Sequence, residues 1–212
     1  MDRLEAEKKY WRAIYKNGKY GYSADEFPAA AIHFKHLMAQ FIIDRNRSHM
    51  AGKTVLDVGC GPHPVADRDV ADHVVLVDPL MSWYRDELGV EYDPRCELHT
   101  AGIDDLVDLN IRADIVIAWN MLDGVPDPEK GLTQLRAACL GELWLHVGVK
   151  LSEDGPTKTS HVDDDPAHPW FMNLKCLDRY ISEAGFRWET KTILDHKVGR
   201  VYAQRRLFGV LA

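Results

Sequence analysis

Two carboxylates and a glycine-bearing bend carry the most specific chemistry in this 212-residue chain. An apolar run, Val55-Leu56-Asp57-Val58, breaks into Gly59-Cys60-Gly61-Pro62-His63-Pro64, and a second run, Val74-Val75-Leu76-Val77, ends in Asp78. The second acid follows the first run by about twenty residues, the spacing at which an acidic side chain reaches a ribose in nucleotide-binding βαβ units. Glycines at 59 and 61 let the backbone turn sharply and approach a ligand with no Cβ in the way. Asp78 can accept hydrogen bonds from both ribose hydroxyls. Asp57, beside the bend, has two readings: it contacts an amino group of the ligand, directly or through water, or it caps loop N–H groups. The pattern describes a pocket for an adenosine-containing cofactor.

A dinucleotide fingerprint requires a third small residue three places after the second glycine, and that place holds Pro64. Pro62 and Pro64 supply no N–H groups, so the bend is a poor phosphate nest. A cofactor without phosphates, such as S-adenosylmethionine, suits it better. The ordered motifs resemble those of the class I S-adenosylmethionine-dependent methyltransferases over roughly residues 53–205. Residues 55–62 resemble the first motif, Val77-Asp78-Pro79-Leu80 the second, Thr100-Ala101-Gly102-Ile103-Asp104-Asp105-Leu106 the third, and the strand and loop from Ala113 through Asn120 to Asp127 the fourth.

The resemblance implies S-adenosylmethionine as cofactor, S-adenosylhomocysteine as product, and a role for each matching residue. Asp57, Gly59, Cys60, Gly61 and Pro62 hold the methionine tail, and Asp78 holds the ribose. Pro79, Leu80 and Ile103 flank the adenine, and Asp104 accepts from its amino group, unless a one-residue slip gives that part to Asp105. Asn120 and Met121, after the fourth strand, lie near the sulfonium; Asn120 holds the acceptor or the methionine carboxylate. Trp119 either walls the acceptor pocket or packs in the core. The chain departs from the pattern at His63, where many relatives have the third glycine, and at Asp123-Gly124, where many have Glu-His. Cys139-Leu140-Gly141 replaces the longer turn usual before the fifth strand.

Methyl transfer from a sulfonium needs chiefly alignment of the nucleophile with the methyl–sulfur axis. A weakly acidic hydroxyl acceptor would also need a general base. His161 and His168, in His161-Val162-Asp163-Asp164-Asp165-Pro166-Ala167-His168, are candidates with Asn120 for the catalytic positions. The same segment also reads as a solvated acidic loop or, with its mixed oxygen and imidazole ligands, as a divalent-metal site; no metal is assigned. Tyr20, Tyr22 and Trp11 form part of a lid over the cofactor, with Tyr20 and Tyr22 as substrate contacts, or pack an N-terminal cap.

The elements that position these residues follow from periodicity and punctuation. Helices are predicted over 2–17, 28–48, a short stretch from Pro64, 81–88, 128–140 (opened by Asp127-Pro128 as cap and first turn) and 173–183 (closed by Gly185). Strands are predicted over 54–58, 73–77, 96–100, 114–118 and 142–149, with a closing hairpin at 187–194 and 200–207 and a polar loop over 151–170. The expected fold is α/β, a three-layer Rossmann-like sandwich with a seven-stranded, mostly parallel sheet and an antiparallel C-terminal strand. Residues 1–50 form an N-terminal helical cap on one compact unit, 51–212.

The composition, 46% apolar with a net charge of −7, provides a core and argues against a nucleic-acid partner. No apolar run is long enough to span a membrane. The N-terminus is charged and has no signal-peptide core. Cys60, Cys96, Cys139 and Cys176 show no paired metal spacing, and read as buried thiols in a reducing compartment. A cytoplasmic enzyme for a small-molecule acceptor, monomeric or homodimeric, is the leading expectation. A methyltransferase for RNA or protein, or a cofactor-binding module without turnover, are the alternatives.

Overall fold

Strands covered on both faces carry continuous apolar runs, and the runs at 54–58, 73–77 and 113–119 do so. In a computed structural model that describes residues 2–17, 47–150, 160–161, 169–196 and 200–209, they are the centre of one sheet. The elements in chain order are α1 (Arg3–Asn17), β1 (Thr54–Val58), β2 (His73–Val77), α2 (Met81–Leu88), β3 (Glu97–His99), β4 (Ala113–Trp119), α3 (Pro128–Ala138), β5 (Cys139–Lys150), β6 (Ser160–His161), β7 (Trp170–Asn173), α4 (Leu174–Glu183), β8 (Phe186–His196) and β9 (Arg200–Gly209).

Strands β3, β2, β1, β4 and β5 lie side by side in that order and all run parallel. The Rossmann-like α/β expectation is met. Strand order reverses between β1 and β4, so the crevice beyond their carboxyl ends is where an open α/β sheet binds its ligand. Side chains alternate between faces. Leu56, Val77, Val116 and Leu145 pack with Leu132 and Leu135 of α3 and Leu177 and Ile181 of α4. Val55, Leu76, Ile117 and Trp144 pack on the other face with Met50, Val65 and Met81.

Among the described residues the sheet holds nine strands, where seven were expected. Of the two further strands, β6 falls in the stretch expected to be a polar loop and β7 begins at its last residue, Trp170. They are two and four residues long and are defined by their partners rather than by a pattern of their own. Val149 of β5 pairs with Val201 of antiparallel β9 on one edge and with Met172 of β7 on the other. That second edge belongs to β4 as far as Trp119↔His146. β7 therefore continues the β4 side of the sheet above the loop that leaves β4. Trp170 anchors it there, donating from Nε1 to the Val125 carbonyl at 2.6 Å. β8 pairs antiparallel with β9.

The short helix expected from Pro64 is absent, and residues 64–72 form turns and irregular backbone. The Asp57 carboxylate takes the N–H groups of Val65 and Ala66. Asp67 then closes its own turn by accepting from Asp69 N–H. The expected helix at 28–48 falls largely outside the described residues; its last two residues, Arg47 and Ser48, belong to a single 3-10 turn, Arg47–Met50. No turn precedes β5, which starts at the residue capping α3. Gly141 permits this, because a Cβ there would stand 2.7 Å from the Asp114 carbonyl oxygen.

Asp127 caps α3 as its sequence predicts, accepting from Glu129 N–H at 3.0 Å and Lys130 N–H at 3.1 Å, with Pro128 in the first turn. Asp127→Ala should lower stability by about 1 kcal/mol. A urea titration checks this: an unchanged midpoint would show that the cap contributes nothing.

Candidate functional site

The backbone bends away from β1 at Gly59 (φ +66°) and again at Gly61 (φ +61°), left-handed values that favour glycine. Its donors are turned inward. Gly59 N–H donates to the Val77 carbonyl at 2.8 Å, and Cys60 N–H to the same oxygen at 3.4 Å. Gly61 N–H donates to Asp78 Oδ2 at 2.9 Å. Val65 and Ala66 N–H donate to Asp57 Oδ2 at 2.6 and 3.0 Å. Pro62 and Pro64 have no N–H. A loop so consumed offers no row of donors to a pyrophosphate. Its carbonyls and the Asp78 carboxylate favour a ligand that brings donors of its own, such as ribose hydroxyls and an ammonium group.

Of the two readings of Asp57, the structure displays loop capping: the carboxylate is fully buried and braces the segment after the bend. Asp78 ends β2 with Oδ1 accepting from Leu80 N–H at 2.8 Å. Its main chain joins two motifs, since its N–H donates to His99 and its carbonyl accepts from Ala101. This ties the exit of β3 to the exit of β2. Pro79 is half-buried and Leu80 buried. Ile103, also buried, opens a 3-10 turn, Ile103–Asp105. Asp105 Oδ2 holds the Gly102 N–H at 2.9 Å, so Asp105 is engaged locally. Asp104 Oδ1 lies 3.1 Å from Lys130 Nζ.

Asn120 follows β4 with φ +55°, a conformation that asparagine tolerates better than most residues. Its N–H donates to the His146 carbonyl at 2.8 Å, and the residue is exposed at the crevice. Met121 crosses to β1, and its Cβ would stand 2.6 Å from a Cβ built on Gly59. Glycine bend, Asp78, Asn120 and Met121 thus share the carboxyl rim of β1, β2 and β4. Trp119 is 4% exposed in the core, its ring stacked on that of buried His146 at 4.5 Å between centroids. His161 lies in β6, its backbone paired with Trp170. His168, Tyr20 and Tyr22 lie outside the described residues. Among the described residues no group of three or more His, Cys, Asp or Glu is placed to hold a metal ion.

Several contacts at this rim escape sequence reading. Tyr15 of α1 stacks on His63, with its hydroxyl 3.2 Å from Nε2. Trp11 meets His63 and Tyr84 edge-on. Arg3 Nη1 donates to the Gly124 carbonyl at 2.5 Å. α1 therefore reaches from the glycine bend to the loop after β4. The apolar residues of α1 signalled a packed helix, but not what it packs on. Tyr92, whose hydroxyl donates to the Gly61 carbonyl at 3.0 Å, lies in irregular backbone with no local signal at all.

Burial raises the Tyr15 pKa from 10.0 to about 12. The folded state then holds this proton more tightly than the unfolded chain. The contribution is fully present below pH 10 and is lost as pH rises from 10 to about 12. Comparing urea midpoints of wild type and Tyr15→Phe across that range should show the wild type losing stability more steeply. Parallel curves would contradict the burial of this hydroxyl against His63.

A family model described as a methyltransferase domain matches residues 31–191. No curated protein sequence is significantly similar to the chain. Among solved structures, magnesium protoporphyrin IX methyltransferase from Synechocystis PCC 6803 with bound S-adenosylhomocysteine is similar with a TM-score of 0.63 and 12% identity. That match covers 96% of this chain and 94% of that one. The 1,6-didemethyltoxoflavin-N1-methyltransferase of Burkholderia thailandensis, crystallised with 1,6-didemethyltoxoflavin and S-adenosylhomocysteine, is similar with a TM-score of 0.57 and 19% identity. The coverage is 98% of this chain and 89% of that one. A cyclase, SpnF, is similar with a TM-score of 0.62 and 15% identity, over 88% of this chain and 83% of that one. At these identities the likenesses establish the fold.

Proposed function

The chain belongs to the methyltransferase-domain family, and from that premise we propose that it transfers a methyl group from S-adenosylmethionine to a small-molecule acceptor. The observation that carries the cofactor is the glycine bend: its N–H groups are held by Val77 and Asp78, so it suits a phosphate-free adenosyl compound beside a strand-end carboxylate. When bound, S-adenosylmethionine supplies an activated methyl group on a sulfonium.

The chain's own part is to bind and orient. Asp78 accepts from the ribose hydroxyls, using lone pairs beyond those given to Gly61 and Leu80. Pro79, Leu80 and Ile103 flank the adenine, with Asp104 accepting from its amino group. Gly59, Cys60, Gly61 and Pro62 form the turn for the methionine tail, with Asp57 holding its shape from below. Asn120 and Met121 face the reacting end. On sequence alone, His161 and His168 remain candidates for a base, and Tyr20 and Tyr22 for acceptor contacts. Residues 1–50 act as a cap on a unit spanning 51–212.

A small acceptor is favoured by the net charge of −7 and by β7, which Trp170 fastens to the loop after β4. Two of the similar structures are methyltransferases named for small molecules, magnesium protoporphyrin IX and 1,6-didemethyltoxoflavin. No helix of the described residues is long and apolar enough to cross a membrane. The test is calorimetric titration with S-adenosylhomocysteine and with NAD, followed by methyl-transfer assays on a panel of small acceptors and on RNA. Uptake of the first ligand alone, with turnover on a small acceptor, is expected. Uptake of NAD, or transfer only to RNA, would overturn the reading.

A further inference from the structure

The N–H and the carbonyl of Gly61, which belong to successive peptide groups, are held by side chains from distant parts of the chain. The N–H donates to Asp78 Oδ2 at 2.9 Å, and the carbonyl accepts from the Tyr92 hydroxyl at 3.0 Å. Among the described residues the Cys60 thiol, a weak donor at 3.5 Å, also meets that carbonyl. Gly61 is buried and sits at φ +61°. Glycine has wide conformational freedom, so the contacts made by its N–H and carbonyl help to fix the orientation of the bend. The Tyr92 ring is half-buried against the core cluster that contains Cys60 and Val65. Burial, together with the nearby Cys60 thiol and Asp78 carboxylate, keeps its hydroxyl protonated well above the usual tyrosine value, so it remains a donor.

The segment carrying Tyr92 is itself fastened to the loop that follows the bend. Arg95 bonds Asp93 beside it and reaches Asp69 at 2.7 Å. Tyr92 therefore approaches Gly61 from a support independent of β2. The same Asp78 oxygen that receives Gly61 N–H belongs to the carboxylate assigned to the ribose, so a shift of the Gly61 peptide moves the lone pairs available to the ligand.

We propose that Tyr92 is a positioning residue for the adenosyl end of the cofactor, acting through the Gly61 peptide on the orientation of Asp78. This rests on the cofactor reading given above. Removing the hydroxyl takes an oxygen donor from the Gly61 carbonyl and loosens the hold on that side of the bend.

The experiment is a double-mutant cycle read by calorimetric titration with S-adenosylhomocysteine, using wild type, Tyr92→Phe, Asp78→Asn and the pair. Melting temperatures of the ligand-free proteins verify that all four fold. Tyr92→Phe should weaken binding roughly five- to tenfold, the scale of one hydrogen bond. In the Asp78→Asn background the same change should have little further effect, because the two act as a unit. A purely structural tyrosine would lower the melting temperature and weaken binding equally in both backgrounds, and that result overturns the proposal. Unchanged affinity in Tyr92→Phe overturns it as well, while leaving the cofactor reading intact. Wild-type protein that takes up no S-adenosylhomocysteine overturns the cofactor reading itself and this inference with it.

Discussion

Asp78→Asn should bind S-adenosylhomocysteine about a hundredfold more weakly than wild type, or worse, while remaining folded. Both carboxylate oxygens are engaged before any ligand arrives, one by Gly61 N–H and one by Leu80 N–H. An amide keeps one acceptor and presents a donor where the other stood. One of those N–H groups then faces an NH2 in a site that is 6% exposed. The ribose meets a neutral group in place of an anion. Hydrogen bonds to charged groups contribute about 1.5–3 kcal/mol each, so losing two reaches about two orders of magnitude or more in affinity. Calorimetry on the two proteins checks this. A loss below about fivefold would mean that Asp78 holds the bend and nothing else.

Gly59→Ala should destabilise the fold by about 2–5 kcal/mol and abolish measurable cofactor uptake. The new methyl group would sit 2.6 Å from Met121 Cβ and 3.0 Å from its Cγ, at φ +66°. The left-handed backbone contributes about 1–2 kcal/mol and the overpacking about 1–3 kcal/mol. Met121 is not able to swing clear, because the nearest atom is its Cβ, fixed to the backbone. Met121→Ala should therefore fail to rescue the variant. Gly89→Ala is the control: it also has φ +65°, but nothing stands within 4 Å of its added Cβ. It should show the backbone part alone. Chemical denaturation of these variants separates the two contributions. Equal losses in Gly59→Ala and Gly89→Ala would contradict the close approach of β1 and the loop after β4.

What the sequence made legible is local. The Asp127-Pro128 start of α3 and the Gly185 end of α4 are set by chemistry within a few residues, and each appears where the sequence places it. Strands β1, β2 and β4 were visible because burial on both faces demands unbroken apolar runs. The bend and Asp78 were visible because glycine and a strand-end acid are a rare pair at that spacing.

The rest depends on distance along the chain. Asp57 fastens the segment after Pro64 by accepting from N–H groups eight and nine residues away, a link that no periodicity reveals. β7 exists because β5 extends beyond β4 and leaves an open edge at Val149 and Lys150. Tyr15 meets His63 across 48 residues, and Tyr92 meets Gly61 across 31. His63, seen in the sequence only as a departure from a glycine, turns out to be the surface on which α1 rests.

The central claim is that the Gly59–Gly61 bend and the Asp78 carboxylate receive an adenosyl compound at the carboxyl rim of β1 and β2. A crystal structure with bound S-adenosylhomocysteine tests it most directly. Ribose hydroxyls are expected within hydrogen-bonding distance of Asp78, the amino-acid tail against the bend, and adenine between Leu80 and Ile103. A ligand seated elsewhere, or one whose ribose turns away from Asp78, would contradict it.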